Sequence, residues 1–525
     1  MTAAPSTWAP LRTGAFRTLW IAALVSNVGE WMQTVGAQWL LVHDSHAAIL
    51  VSLVQTADAL PAVLFAMVGG VLADIFNRVK LLFVVMAGLT AAGGTLTALT
   101  AAHLMPPALL LLFTFVLGTG GILAEPAYQS LVPDMVPRPQ IPAASALGSI
   151  SNNLARVIGP AIGGLLVARI GVAAVFGLNT ATFVLYAIVL ACHPRLGGPS
   201  QSSERFIPGL RAGGRYARHA PVVHRILLRA ALFLVPASAL WALLPLIAAQ
   251  RLGLGSSGYG VLLSALGAGA IGGALLVPHA RARLSPNTLA AVASLAYAAA
   301  LAAAALSRNL ALTIVVLLPA AAAWTTFLSN VNAALQLFLP RWVRARGLSV
   351  YQMVLFGAQA AGAAIWGVVA GAAGLATAFL AAAVVMAAGA ATLWFWPFEQ
   401  VADMDRSMVR WPEPQFPVSA DRDTGPVLVR ITYTIAADRE QQFRRVMADL
   451  RQSRLRTGAL DWALYQDAKN PRLFIEQFSV PSWEEHLRQH QERQTATDLH
   501  YHDDAAALSD PQPQTDHYLA ADVHE

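Results

Sequence analysis

The stretch Gly70-Val-Leu-Ala-Asp74-Ile-Phe-Asn77-Arg78-Val-Lys80 interrupts two long apolar runs. It sets an acid and two bases close together in a chain that is otherwise poor in charge: 12% of its 525 residues are charged and 56% are hydrophobic. Glycine permits a tight turn, and the charged groups can pair with neighbouring helix ends in one conformation only. The stretch therefore predicts a short charged turn between two membrane helices.

Apolar runs on both sides of this turn define the fold class. A helix that crosses about 30 Å of hydrocarbon needs about 20 residues, and twelve runs of that kind can be read from the sequence. They lie at 17–41, 47–71, 80–101, 107–130, 144–168, 171–191, 226–248, 258–278, 288–306, 310–334, 348–371 and 373–396. We therefore expect an all-α polytopic membrane protein with twelve transmembrane helices.

The turn has a counterpart in the second half of the chain. Gly69-Gly70 with Arg78 and Lys80 recurs 203 residues later as Gly272-Gly273 with Arg281 and Arg283. A long segment at 192–225 separates the two sets of six runs. Two parallel six-helix halves around a central cavity are typical of alternating-access carriers. The repeat thus favours a carrier over a channel or a receptor.

The distribution of Lys and Arg predicts the orientation, because short cytoplasmic loops carry an excess of these residues. The inner segments hold most of them if the N-terminus lies inside: Arg12, Arg17, Arg78, Lys80, Arg138, Arg281, Arg283, Arg341, Arg344, Arg346 and six more in 192–225. The outer loops hold Arg169, Arg251 and Arg308. We expect both termini to be cytoplasmic in a multi-pass protein of the cell (cytoplasmic or inner) membrane.

The net charge of +6 is the sum of two opposite parts. Residues 1–398 hold 21 basic and seven acidic residues, whereas residues 399–525 hold 14 basic and 22 acidic ones. The chain therefore divides into a membrane part and a soluble acidic tail, and its basic balance is not evidence for a nucleic-acid partner. The expected domains are the membrane halves 1–191 and 226–396, the central loop 192–225, a Pro-rich linker 397–426 and a folded tail 427–525.

The turn at 70–80 resembles the signature of the major facilitator superfamily between helices two and three. Ile75 stands where that signature has a base, and Asn77 where it has a second glycine. Asparagine tolerates the left-handed conformation that glycine supplies, so Asn77 is a mild departure. The resemblance implies the major facilitator fold and a gating role for this turn, with Gly70, Asp74, Arg78 and Lys80 as the gating residues.

A second motif lies in the fifth apolar run, at Gly159-Pro160-Ala-Ile-Gly163-Gly164. It resembles the motif associated with antiporters of the same superfamily, and small residues at this spacing permit close helix contact. Together with Asn27-Val-Gly-Glu30-Trp31 in the first run, it is similar to the branch that contains enterobactin exporters and transmembrane secretion effectors. The resemblance implies export in exchange for another solute or ion.

Few ionisable residues fall inside the runs, where each costs at least about 2.5–3.5 kcal/mol at a helix centre. Glu30, Asp58 and Arg156 lie near the middle of runs one, two and five, Glu125 lies in the inner part of run four, and Asn27 is a polar neighbour. One hypothesis is that a carboxylate, Glu30 first and Asp58 second, carries a proton through the transport cycle. Arg156 would then be a counter-charge or a contact for an anionic substrate. The alternative is that these groups form static ion pairs that hold helices together.

The C-terminal half has neutral polar groups at matching depth: Asn330, Gln336, Gln352 and Gln359. From Arg205 to Phe398 the chain contains no Asp or Glu. Proton coupling through carboxylates is therefore expected of the N-terminal half.

The tail has the pattern of a small α+β domain. Strands are expected at 427–435, 459–467, 472–480 and near 517–523, with helices at 439–456 and from Ser482 onward. The order β-α-β-β-α-β predicts a ferredoxin-like unit. The segment 425–490 is similar to antibiotic-biosynthesis-monooxygenase-type domains, which pair into dimeric α+β barrels, so self-association through the tail is implied.

An enzymatic role for the tail is the main alternative. His486 and His490 stand four residues apart and could share a metal, but spacing places no third ligand, so a surface helix is expected there. Cys192 is the only cysteine, and no phosphate-binding loop is present. We therefore expect a non-enzymatic, proton-coupled efflux carrier for a small organic molecule, with no metal or cofactor. A membrane-tethered enzyme or sensor is the alternative.

Overall fold

The computed structural model describes residues 8–193, 216, 218–340, 342–398 and 425–520, except for the side chains of Asp74 and Ala345. Most of the predicted central loop and of the predicted linker lies outside these residues. The chain forms two compact units. The first comprises Met1–Ser203, Leu228–Val331 and Gln352–Pro397, and the second comprises Glu204–Leu227, Asn332–Tyr351 and Phe398–Glu525.

Long apolar helices occupy the predicted positions in the membrane part. In chain order, α1 to α12 are Gly14–Leu40, Ala47–Ile75, Arg78–Ala101, Pro107–Met135, Ile141–Ile170, Val172–Ala191, Pro221–Leu246, Ser256–Arg283, Pro286–Leu306, Leu310–Phe338, Arg344–Ala373 and Leu375–Ala391. Within the described residues, ten helices are long and apolar enough to cross a membrane. Helix α1 is not among them, and α12 is shorter, with 17 residues. The protein is thus mostly helical, and a count of twelve spans stays a prediction.

Two glycines end equivalent helices in the two halves. Gly171 follows α5 and Gly374 follows α11, both with φ of +88°, a conformation that side chains other than that of glycine rarely adopt. The Gly171 N–H donates to the Val167 carbonyl and the Gly374 N–H to the Ala370 carbonyl. Gly171 and Gly374 are 203 residues apart, and so are Val167 and Ala370. This is the spacing of the sequence repeat. The internal repeat therefore extends to the way the helices are terminated.

The tail contains a four-stranded antiparallel sheet. Its strands are β1 (Val427–Thr434), β2 (Ala463–Gln466), β3 (Leu473–Val480) and β4 (Gln514–Leu519), in the order β2-β3-β1-β4. Strand β1 alternates between buried and half-buried residues. Its buried residues pack against α13 (Glu440–Thr457), where Phe443, Met447 and Leu450 are buried. One face of the sheet is therefore covered and forms the core of the tail.

Two helices follow β3, where one was expected. Helix α14 (Trp483–Arg488) continues into a π-helical turn, Gln489–Arg493, and α15 spans Ala496–Ala507. Thr495 and Asp498 form a capping box at the start of α15, with each side chain bonded to the backbone N–H of the other. The prediction missed this helix because its sequence is polar and its periodicity is weak.

Candidate functional site

A cavity of about 380 Å³ lies among helices of both membrane halves. The N-terminal half contributes the charged lining and the C-terminal half contributes apolar, aromatic and amide groups. Its principal polar and aromatic lining residues are Glu30, Trp31, Gln33, Thr34, Gln38, Gln55, Asp58, Arg156, Trp241, Tyr259, Trp324 and Gln359. A concave site with a few convergent polar groups among aromatic rings is the usual form of a small-molecule site.

The structure brings Glu30 and Asp58 together at this cavity. Both residues are exposed, and both line the cavity. Neither carboxylate has a Lys, Arg or His nitrogen within 4.0 Å among the described residues. A static ion pair that holds helices together would require such a partner. This geometry favours a role for both carboxylates in the cavity, although that role stays a prediction.

Arg156 on α5 is the one cation in the described lining of this cavity. Its guanidinium carbon lies 5.6 Å from the centre of the Trp31 ring, and its Nε is buried without a hydrogen-bond partner among the described residues. Trp31 in turn lies 6.4 Å from Trp241 on α7, measured between ring centres. A cation over an aromatic ring with spare donors suits an anionic group on a ligand.

Asn27 and Glu125 lie outside the described lining. The Asn27 amide donates to the side chains of Asn152 at 2.7 Å and Ser151 at 3.3 Å, which joins α1 to α5. Glu125 accepts a hydrogen bond from Gln129 at 2.6 Å, within α4. In the C-terminal half, Gln359 lines the cavity, whereas Asn330 donates to the Pro286 carbonyl at 2.9 Å. Polar residues that are expected at the same depth in the membrane therefore do not all line the cavity.

The charged turn lies between α2 and α3. The Asp74 side chain lies outside the described residues. A Cβ on Gly70 would have no neighbour within 4 Å, and Lys80 is exposed. Arg78 donates to Asp134 at the end of α4, at 3.0 Å. Asn77, which stands where the signature has a glycine, is extended here, with a φ of −60°.

Asn77 has another role in this turn. Its side chain accepts a hydrogen bond from the Lys80 N–H at 3.0 Å and so caps α3. Asparagine is among the residues that favour this position, because its side-chain oxygen satisfies an N–H that the helix leaves unpaired.

The antiporter-like motif packs α5 against α1 and α8. A Cβ on Gly159 would stand 2.5 Å from the Trp31 Cβ, and one on Gly163 would stand 2.9 Å from the Met32 Cα. On the other side, a Cβ on Gly164 would stand 2.5 Å from the Ser256 carbonyl oxygen. The Ser256 hydroxyl donates to the Gly164 carbonyl at 3.1 Å. The motif therefore lets helices of the two halves approach to backbone contact.

Pro160 takes part in the same contact. The Pro160 carbonyl lies 2.4 Å from where a Cβ on Gly260 of α8 would stand, so glycine is required on both helices. Several lining residues were not singled out from the sequence: Gln38, Trp241, Tyr259 and Trp324. The Tyr259 hydroxyl hydrogen-bonds with Gln38 across the two halves. Aromatic residues in apolar helices resemble core residues, and no sequence signal distinguishes them.

In the tail, the expectation that His486 lies on a surface helix is wrong. Its exposed fraction is 1%, and its ring lies 5.4 Å from that of Trp483. Burial, together with repulsion from His490 and His517, lowers the pKa of His486 to about 2. Burial also lowers the pKa of His502, to about 3. The tail therefore contains neutral imidazoles in its interior at physiological pH.

Comparison with known proteins identifies the family to which the chain belongs. The chain matches the family described as transmembrane secretion effector over residues 5–524. It is 32% identical over 263 residues to the enterobactin exporter EntS of Shigella boydii, which covers 50% of this chain and 62% of the exporter. It is 27% identical over 223 residues to the uncharacterized MFS-type transporter YfiS of Bacillus subtilis, which covers 41% of this chain and 52% of that protein. The chain thus spans between about half and three fifths of the length of these relatives.

Solved structures agree on the fold. A bacterial homolog of the human lysosomal transporter Spinster, in an inward-facing and occupied conformation, has a TM-score of 0.62 at 17% identity, over 74% of this chain and 97% of that one. The nucleoside transporter NupG has a TM-score of 0.55 at 14% identity, over 73% of this chain and 99% of that one. The family match over residues 5–524 shows that this chain belongs to the transmembrane secretion effector family of the major facilitator superfamily.

Proposed function

We propose that the protein exports a small organic molecule in exchange for protons by alternating access. The observation that carries the proposal is the pair of carboxylates, Glu30 and Asp58, which face the central cavity with no cation within 4.0 Å among the described residues. A carboxylate in a water-accessible cavity within the bilayer can take up a proton from one side and release it to the other. Export in particular is supported by the relative named as an enterobactin exporter.

The proposal includes twelve spans in two six-helix halves, 1–191 and 226–396, with both termini in the cytoplasm. Lys and Arg on the expected inner side support this orientation. The shared conformation of Gly171 and Gly374, which end α5 and α11 in the same way, supports the division into two equivalent halves. The turn at 70–80 then lies on the inner side, where Gly70, Asp74, Arg78 and Lys80 would gate the cavity.

The substrate class follows from the lining. Trp31, Trp241 and Trp324 offer aromatic surfaces, and Arg156 offers a positive charge with a buried donor that has no partner among the described residues. A small molecule with an aromatic or apolar body and an anionic group satisfies both features. We propose this class for the cargo, whether siderophore-like, drug-like or a metabolite.

Replacing Arg156 with glutamine should weaken the binding of small aromatic anions by about 10- to 150-fold. This range corresponds to the roughly 1.5–3 kcal/mol of a hydrogen bond to a charged group. Binding of uncharged analogues should change little. Quenching of intrinsic tryptophan fluorescence measures both affinities, since Trp31 and Trp241 line the cavity.

Arg169→Gln is the matched control for that experiment. Arg169 lies on the same helix as Arg156, near its C-terminal end, and is exposed. The control variant should bind anions as the unchanged protein does. Equal affinity for anions in Arg156→Gln and Arg169→Gln would contradict the assignment.

The tail is proposed to be a ferredoxin-like domain, 427–525, that serves association or regulation. The strand order β2-β3-β1-β4, with all pairs antiparallel, supports this arrangement. The similarity to monooxygenase-type domains supports self-association through the tail, and fold alone does not carry an enzymatic activity. The proposed protein is thus a carrier with an accessory domain and not an enzyme.

Deleting residues 425–525 should leave at least about half of the export activity. The cavity and its charged residues all lie in the first unit, whereas the deleted residues belong to the second. Efflux from cells, normalised to the amount of protein in the membrane, measures the effect. Complete loss of efflux with normal membrane insertion, together with substrate turnover by the full-length protein, would instead support the membrane-tethered enzyme.

A further inference from the structure

Three histidines of the tail lie together, although they are separated in the sequence. His486 and His490 belong to the segment of α14 and its π-helical turn, and His517 belongs to β4. One ring nitrogen of each can be chosen such that all three lie within 4.8 Å of one another. The ring of His486 lies 4.6 Å from that of His490 and 4.9 Å from that of His517, measured between centres.

The fold explains why these rings meet. His517 is opposite Val429 of β1 in the antiparallel register, and directly opposed residues point to the same face of a sheet. Val429 is buried on the helix-covered face, so His517 points toward the helices. His486 and His490 are four residues apart and therefore share one side of their helical segment. The site is thus built from two elements that the sheet order brings together.

Among the described residues, the His486 ring is a buried polar group without a hydrogen-bond partner. The residue is 99% buried, and neither ring nitrogen has a hydrogen-bond partner of acceptable geometry among the described residues. The amide N–H of the neighbouring Gln489 donates to Thr457 at 2.9 Å, and the Gln489 Oε1 is likewise buried without a hydrogen-bond partner among the described residues. A buried imidazole normally forms at least one hydrogen bond, and a group that forms none requires an explanation.

The charge balance near the site also suits a cation. The positive charge of Arg454 is compensated by Glu476, through an ion pair of 3.1 Å. Glu476 also accepts hydrogen bonds from Tyr433 and Trp462, both at 2.9 Å, so both of its carboxylate oxygens are engaged.

We propose that His486, His490 and His517 bind one divalent transition-metal ion of the kind that prefers imidazole, with Zn²⁺ as the representative ion. Zinc–nitrogen distances of about 2.0–2.1 Å in a tetrahedral site place the three nitrogens about 3.3 Å apart. His490 and His517 are half-buried. Three protein ligands leave one coordination position for water or a small molecule. The inference concerns the tail and does not depend on the proposed export function.

Zinc binding by the full-length protein in detergent, purified without a polyhistidine tag, tests the site. We expect one Zn²⁺ per chain by elemental analysis, and titration with ZnCl₂ should show at least about 100-fold weaker binding in His490→Asn and in His517→Asn. Neither substitution opens a cavity in the core, since both residues are half-buried. The thermal midpoint of the unchanged protein should rise with added zinc, and that rise should be absent in both variants.

His500→Asn provides the matched control, because His500 lies on the neighbouring helix α15 and is exposed. It should bind zinc as the unchanged protein does. The proposal is overturned if the unchanged protein binds no zinc. It is equally overturned if His517→Asn binds zinc with unchanged affinity, or if His500→Asn loses it.

Discussion

Replacing Glu30 with glutamine should reduce proton-driven export by at least about 100-fold while the amount of inserted protein stays the same. Glutamine has nearly the shape of glutamate but cannot carry a proton, and positioned proton transfer commonly contributes 10²- to 10⁴-fold to a rate. No ion pair to Glu30 is present among the described residues, so the substitution leaves no charge unpaired. Removal of a charge from the membrane interior also favours the inserted state. A loss of function should therefore appear without a loss of protein.

Proteoliposomes with an imposed pH gradient measure this effect through the proton movement that a panel of small aromatic anions induces. Asp44→Asn is the matched control, since Asp44 is a loop carboxylate that accepts a hydrogen bond from the His46 N–H at 2.8 Å. It should transport normally. Unchanged pH-dependent transport in Glu30→Gln would refute the assignment. If only Asp58→Asn abolished coupling, the proton would be carried by Asp58.

The sequence predicts the helices and the charged part of the cavity for physical reasons. Long apolar runs have few alternatives to membrane helices, and an acid inside such a run is costly enough to mark a functional position. Glu30, Asp58 and Arg156 could therefore be identified without coordinates, and all three line the cavity. The same reasoning could not separate Trp241 and Trp324 from the many apolar residues that surround them.

The tail shows a different limit of sequence reasoning. The spacing of His486 and His490 showed that the two residues could share a metal, but it gave no third ligand. The third ring, His517, belongs to a strand and lies 27 residues after His490. Its proximity depends on the strand order, in which β4 lies beside β1, and on the register that pairs His517 with Val429. Neither is encoded in local periodicity. Burial of His486 likewise depends on which side of its helical segment faces the sheet.

Replacing Gly164 with valine should shift the carrier away from the conformation in which α5 and α8 are in contact. A Cβ at this position would stand 2.5 Å from the Ser256 carbonyl oxygen and 3.1 Å from the Gly260 Cα. Overpacking of this kind costs about 1–3 kcal/mol, but only while α5 and α8 are in contact. A cost confined to one state lowers its population relative to the other by about 5- to 150-fold. Transport needs both states, so export should fall by about 10-fold or more.

Accessibility of the cavity reports this shift directly. Cys192 is the only cysteine, so Cys192→Ser gives a background in which Thr34→Cys, a residue of the cavity lining, carries the only thiol. With both termini in the cytoplasm, the contact between α5 and α8 lies on the outer side. A membrane-impermeant thiol reagent added outside the cell should therefore label this cysteine faster when Gly164→Val is present.

Gly148→Val separates the effect of the contact from that of a larger residue in a membrane helix. Gly148 lies on the same helix, α5, and a Cβ there would have no neighbour within 4 Å. It should leave both labelling and export unchanged. Gly260→Val, which modifies the opposite face of the same contact, should reproduce the effect of Gly164→Val, because its Cβ would stand 2.4 Å from the Pro160 carbonyl oxygen. Equal labelling in Gly164→Val and Gly148→Val would mean that the antiporter-like motif does not close the outer side of the cavity.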